Sequence, residues 1–205
     1  MKRRSVYVLI ATILGILIPS PGRFVYGVTL VIELIFLMLL GTLSTSLVKK
    51  IKLERLSSVV VLAMNISFAI LFRQIMIMIQ PEIMFTLGFI VYLMPVSVFM
   101  IGYIFENPET PLNEKLKLNM IHILTFSLYA LLFFLLRDLL GYGTFTFFGK
   151  NHQIFEKVIR NPETTGIFSI FASLPGAFIL SSVLLFIHVY VRNKFAIVKT
   201  AEAAQ

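Results

Sequence analysis

The chain contains no cysteine and no tryptophan, and only 14% of its 205 residues are charged. Without cysteine it can form no disulfide, no thiolate nucleophile and no cysteine-ligated zinc or iron–sulfur site of its own. Without tryptophan, any aromatic belt at a membrane surface falls to its 7 tyrosines. Long polar stretches are equally scarce. The two longest, residues 106–117 and 150–165, have the size of connecting loops and leave no room for a soluble domain. A phosphate-binding glycine loop, zinc-ligand spacing and a nucleophile–base constellation are also missing.

What is present is apolar. Hydrophobic residues make up 58% of the chain and its mean hydropathy is +0.92, against roughly 45–50% apolar usage in soluble domains. A bilayer core about 30 Å thick takes roughly 20 apolar residues per helical span. Six spans are expected, at about 5–20, 26–48, 57–79, 83–104, 120–140 and 167–191. Pro95 interrupts the fourth, and Pro175 with Gly176 the sixth. The first is short and ends in PSPG. Its Lys2, Arg3 and Arg4 before an apolar run have the look of a signal peptide, but no Ala-x-Ala-like site follows Pro19. It is therefore read as a retained span.

The net charge of +8 lies in short clusters beside the apolar runs, the pattern of cytoplasmic membrane flanks and not of a nucleic-acid surface. With six spans, one side holds Lys2, Arg3, Arg4, Lys49, Lys50, Lys52, Arg55, Lys115, Lys117, Arg192, Lys194 and Lys199. The other holds only Arg23, Lys150, Lys157 and Arg160. Both termini are accordingly expected in the cytoplasm. ILGILIP at 13–19 also resembles TLGFIVY at 86–92, with Pro95 soon after. Each opens a group of three spans, so the halves would have opposite topology, as in transport proteins with midplane sites. The expected architecture is an all-α membrane protein with one domain over 1–205. Two inverted three-helix repeats, about 5–80 and 83–191, have broken first and fourth helices, and 192–205 is a cytoplasmic tail.

Four charged residues fall within or at the ends of spans. A charge at mid-bilayer costs a few kcal/mol on insertion scales, so such residues face protein or water. Glu33 sits about seven residues into the second expected span, too deep for simple snorkelling. It fits either a structural hydrogen bond or an ion pathway. Arg73 is expected to be held by a neighbouring helix or subunit, or to reach the outer interface. Arg137 and Asp138 read as an interfacial pair anchoring the turn GYGT. His188 reads as a packed or interfacial histidine, and Asn65 and Ser67 as interhelical hydrogen-bonding groups. The methionines of IMIMIQ are lipid-facing or packing material.

The segment LRDLLGYGTFTFFG at 136–149, followed by LPGAFIL at 174–180, resembles one membrane-protein family. This is the E-type subunit of Rnf complexes and the matching D-type subunit of the sodium-pumping NADH:quinone oxidoreductase. That family carries an LREIxGxGTLF-like stretch before an LPPGAFI-like final helix. LGFIVYLMPVSVFMIG at 87–102 is similar in length to the family's LGIFIPLIVVNCIILG stretch, and SLVKK at 46–50 falls where its second span ends in a basic cluster.

The resemblance implies a six-span inverted-repeat subunit of a bacterial or archaeal cytoplasmic membrane, paired with a homologous partner of opposite orientation. Together they would hold a midplane iron–sulfur cluster, with flavins in other subunits. The family's cluster cysteines fall on Leu17 or Ile18 and on Val98 here, with Ser97 in the asparagine place. Apolar side chains cannot ligate iron. The expected function is thus a scaffolding or ion-path subunit of an Rnf/Nqr-like complex, binding no metal or cofactor itself. The alternative is a stand-alone secondary transporter or channel-like protein with Glu33 and the broken helices as its site.

Overall fold

Among the described residues, four helical stretches are long and apolar enough to cross a bilayer: Phe24–Val48, Ser57–Ile79, Pro81–Phe99 and Leu112–Tyr142. A fifth is a pair, Gly166–Ala172 and Leu174–Ile187, bent by 87°. The computed structural model describes residues 17–51, 56–105, 111–150, 152–160 and 166–202. Of the first expected span only residues 17–20 fall among them.

In chain order the elements are α1 (Phe24–Lys50), α2 (Ser57–Ile79), α3 (Pro81–Leu87) and a 3₁₀ segment (Gly88–Leu93) that leads into α4 (Met94–Phe105). Then come α5 (Leu112–Leu136), a π-helical turn (Arg137–Tyr142), strands β1 (Thr144–Phe148) and β2 (Ile154–Val158), a second 3₁₀ segment (Gly166–Ala172) and α6 (Leu174–Glu202). The protein is predominantly helical and compatible with a multi-pass membrane protein.

α1 is the central helix, packed on α5, α2 and α4. Its Leu30, Leu34 and Leu37 are almost fully buried, while Leu43 and Leu47 are exposed. A helix apolar on nearly every face suits a hydrocarbon solvent, which takes up the outward leucines without penalty. On the outer faces of α2 and α5, Leu71, Met78, Leu124 and Leu128 are likewise exposed. Close approach of helices depends on small residues. A Cβ at Gly27 would collide with the Phe134 ring, and one at Gly41 would come within 2.6 Å of Asn65 Oδ1. Asn119 Nδ2 donates to Thr42 Oγ1 at 3.1 Å, tying α5 to α1.

Several expectations change in the structure. The break in the fourth span lies not at Pro95 but at Gly88, whose φ of 55° is open to a residue without Cβ. Pro95 is the second residue of α4, where its missing N–H costs no helical hydrogen bond. The sixth span breaks at Ser173, and Pro175 again sits one residue into the helix that follows. Both prolines therefore start helices. The fifth helix begins at Leu112 and runs through the π turn to Tyr142, so Lys115 and Lys117 lie in a helix and not in a loop.

The all-α reading also needs correction. β1 and β2 form an antiparallel hairpin, with Thr144 opposite Val158 and Phe148 opposite Ile154, where only a turn and an outer loop were expected. A lone two-stranded hairpin is marginal in water. This one is clamped to helix ends: His152 Nδ1 lies 2.6 Å from the Ile79 carbonyl oxygen, and Gln80 Nε2 donates to the Gly149 carbonyl oxygen. Ile154 N donates to Glu82 Oε2 at 3.2 Å, and Arg23 pairs with Glu156 at 2.8 Å. The hairpin thereby caps the end of the bundle where α1 starts, α2 ends and α5 ends.

Candidate functional site

Arg137 and Asp138 meet at this cap, where Asp138 bonds Thr144 of the GYGT turn, but the two do not bond each other. They are 2% and 0% exposed, and each turns to its own partners. The π turn permits this. It widens the helix for one turn and ends in Gly143 with φ 69°, so the chain reverses directly into β1.

Asp138 collects four donors. Its Oδ2 accepts from Phe24 N at 3.0 Å, Thr146 N at 2.8 Å and Thr146 Oγ1 at 2.7 Å, while Oδ1 accepts from Thr144 Oγ1 at 2.7 Å. Phe24 N is the first amide of α1, one of those an α-helix leaves unpaired. Thr146 Oγ1 in turn accepts from Val25 N at 3.3 Å. The carboxylate thus caps α1 from a distant part of the chain and meets the positive end of its dipole. Burying a lone carboxylate is costly; four donors and a helix terminus offset the cost.

Arg137 collects carbonyl oxygens. Nη1 donates to Ser20 O at 2.9 Å and, more weakly, to Leu17 O at 3.4 Å. Nε donates to Phe171 O at 3.2 Å and Nη2 to Ala172 O at 3.1 Å. Its guanidinium lies 5.5 Å from the Phe133 ring centre. One planar fork therefore joins the stretch before α1 to the end of the second 3₁₀ segment, a geometry lysine cannot reproduce. Both residues are fully occupied in holding segments together.

Glu33 is the opposite case. It is 0% exposed, nine residues past the start of α1 and hence about 13 Å along the axis. Both carboxylate oxygens are buried without a hydrogen-bond partner. The hydroxyl one turn before it, Thr29, donates to its own helix at the Val25 carbonyl.

Arg73 is half-buried, and its Nε has no partner. Asn65 is buried against Gly41 with its Oδ1 unpaired. Ser67 is exposed and donates within its own helix to Ala63 O, so the interhelical bond expected of it is absent; Thr42 and Asn119 make one instead. Met76 is buried and Met78 exposed, as packing and lipid-facing side chains would be. The side chain of His188 lies outside the described residues.

Leu17, Ile18 and Val98 are each 2% exposed and belong to one continuous apolar core. Ser97 donates one turn back to Leu93 O, at the end of the 3₁₀ segment that leads into α4. No group of three or more histidine, cysteine or acidic side chains placed to hold a metal occurs among the described residues.

Sequence reasoning missed the Thr144 and Thr146 hydroxyls and the Gly22–Arg137 contact, in which a Cβ would lie 2.8 Å from Nε. The alternating TFTFF run was the available signal for the strand. The chain matches no family model, no curated protein and no solved structure.

Proposed function

We propose that the chain is an integral membrane subunit of an Rnf/Nqr-like, ion-translocating electron-transport complex, where it scaffolds the assembly or lines an ion path and carries no redox centre. The observation behind this reading is Glu33, a carboxyl group buried without a partner in the central helix of a bundle with two interrupted apolar segments. Interrupted helices beside a midplane site are a recurring design in ion transport, and an unspoken-for intramembrane carboxyl marks a functional position.

The apolar burial of Leu17, Ile18 and Val98 supports a role without electron transfer. The same proposal includes six spans in two inverted repeats, both termini in the cytoplasm of a bacterial or archaeal cell, and a homologous partner of opposite orientation. Any iron–sulfur cluster or flavin would belong to partner subunits.

Purification of the full-length protein from its native membranes in mild detergent tests this. Co-elution with several other membrane proteins, including flavin-carrying ones, is the expected result. Elution alone or as a homo-oligomer would overturn the reading and favour a self-contained secondary transporter, which the unpartnered Glu33 also suits. Labelling of introduced cysteines at Lys150 and Ala204 from the same side would sink the six-span arrangement.

A further inference from the structure

Three positions mark one depth of the bundle. Phe36 and Phe72 lie with ring centres 5.6 Å apart and Gly41 packs on Asn65, which sets the antiparallel register of α1 against α2. That register brings Glu33 level with residues 73–75, where Arg73 sits at the edge of the buried face. Asn119 on Thr42 and Phe134 on Gly27 set the register of α5 against α1 and place Ser127 at nearly the same height. Each of the three carries a buried polar atom without a partner: both Glu33 oxygens, Arg73 Nε and Ser127 Oγ. Elsewhere the buried charges are satisfied, as at Asp138 and Arg137, and the other unpartnered buried side-chain atoms among the described residues, Asn65 Oδ1 and Gln80 Oε1, belong to neutral amides, so unpartnered charge is confined to this layer.

From this geometry we infer that Glu33 is a proton-binding site, with Arg73 as the cation that favours proton release, and not a site for a metal cation. The inference deepens, and rests on, the ion-path part of the reading above. A hard cation is held by a shell of several oxygens, six or more for Mg²⁺ and Ca²⁺. Glu33 brings two and the Ser127 hydroxyl, at nearly the same height, one more, while the Leu30, Leu34 and Leu37 side chains bring none. Thr29 is engaged with Val25.

A proton needs only the carboxyl itself. Protonated, Glu33 is a neutral group that tolerates an apolar pocket without a partner. Ionised, it is stable there only with a positive charge brought up to it. Arg73 is at the right height, and no ion pair joins the two in this state, since both Glu33 oxygens are without a partner. Loss of the proton from Glu33 would leave a carboxylate that the Arg73 guanidinium neutralises on closing the gap, and return of a proton would separate them.

Most other ionisable groups on the elements around α1 lie toward its two ends. Glu82 on α3 is bonded into the hairpin, and Arg137 and Asp138 beyond α5 are held at the cap. Glu114, Lys115 and Lys117 are toward the start of α5, near the opposite end, while by the same register Tyr129 lies close to the depth of Glu33 and His122 is level with Leu39, six residues or roughly 9 Å along α1 from Glu33. α4 carries no acidic or basic residue.

Dicyclohexylcarbodiimide, an apolar reagent for protonated carboxyl groups in apolar surroundings, gives a direct test. Native membranes containing the full chain and any partners are treated at a series of pH values, with and without sodium. The chain is then isolated and its adducts mapped by peptide mass spectrometry. The expected result is an adduct on Glu33 whose rate falls about tenfold per pH unit above its midpoint and is unaffected by sodium. Glu33→Gln removes that adduct, and Arg73→Gln moves the midpoint to higher pH.

Protection by sodium would overturn the assignment in favour of a cation site, and absence of an adduct at every pH would overturn it outright. An unmoved midpoint in Arg73→Gln would remove Arg73 from the mechanism. The readout is on this chain alone. Labelling of a protein that purifies by itself keeps the inference and ends the subunit reading, and an unlabelled Glu33 in an intact complex does the reverse.

Discussion

Glu33 and Asp138 are acidic residues of equal burial, both 0% exposed, one in α1 and the other just beyond the helix packed against α1. Asp138 accepts four hydrogen bonds and closes the first turn of α1; Glu33 accepts none. Burial alone therefore says little about what a charge does in a membrane bundle. The count of donors separates an anchor from a group left available, because only the first holds distant segments of the fold together. The cap end of the molecule holds the anchors, and the middle of α1 holds the available group.

The sharpest way to break this comparison is to remove the anchor. Asp138→Ala leaves two amides and two hydroxyls without their acceptor, and the expected loss is about 3–5 kcal/mol of stability. Chemical unfolding in detergent should show it, and Asp138→Asn, which keeps part of the acceptor set, should lose less. Arg137→Met, which strips charge-assisted bonds from the Leu17, Ser20, Phe171 and Ala172 carbonyls, should cost roughly 2–4 kcal/mol. It should also expose the second 3₁₀ segment to proteolysis.

Packing sits between the two regions in strength. Gly27→Ala forces α1 away from Phe134 and is expected to cost about 1–3 kcal/mol, read as a lower unfolding midpoint. At Glu33 the sign reverses: Glu33→Leu removes a buried polar group that no donor satisfies, so stability should be unchanged or rise by up to about 4 kcal/mol, while any ion-coupled activity is lost. A Glu33→Leu variant that unfolds as readily as Asp138→Ala would erase the distinction. The smallest effect belongs to Arg23–Glu156, whose side chains are about a third exposed; Glu156→Ala should cost less than about 1 kcal/mol.

The spans were legible because hydrocarbon thickness imposes a length and an apolar character on any helix that crosses it. Phe24–Val48, Ser57–Ile79 and Leu112–Tyr142 overlap the expected second, third and fifth spans for that reason. Helix interruptions near Pro95 and Pro175 were legible too, but not their positions. Proline marks both the middle of a broken helix and the start of a new one, and only the left-handed backbone at Gly88 and the bend at Ser173 distinguish the two. The hairpin escaped notice because its strands are 5 residues each and their stability lies in contacts with Ile79, Gln80, Glu82 and Asp138, which are distant in sequence.

Composition by itself determined that this is a membrane-compatible helical protein, that no thiolate chemistry belongs to it, and which few charged residues needed explaining. Glu33, Arg73, Arg137 and Asp138 stood out simply because charge is rare in apolar spans. The tertiary structure decided their division of labour. Arg137 and Asp138 adjoin in sequence and look like a pair, but the π turn aims them at separate partners from residues 17–24, 144–146 and 171–172. Glu33 received no partner at all. Satisfaction of a buried charge depends on which donors the fold carries to within 3 Å or so, and that distance is a property of packing which spacing along the chain does not encode.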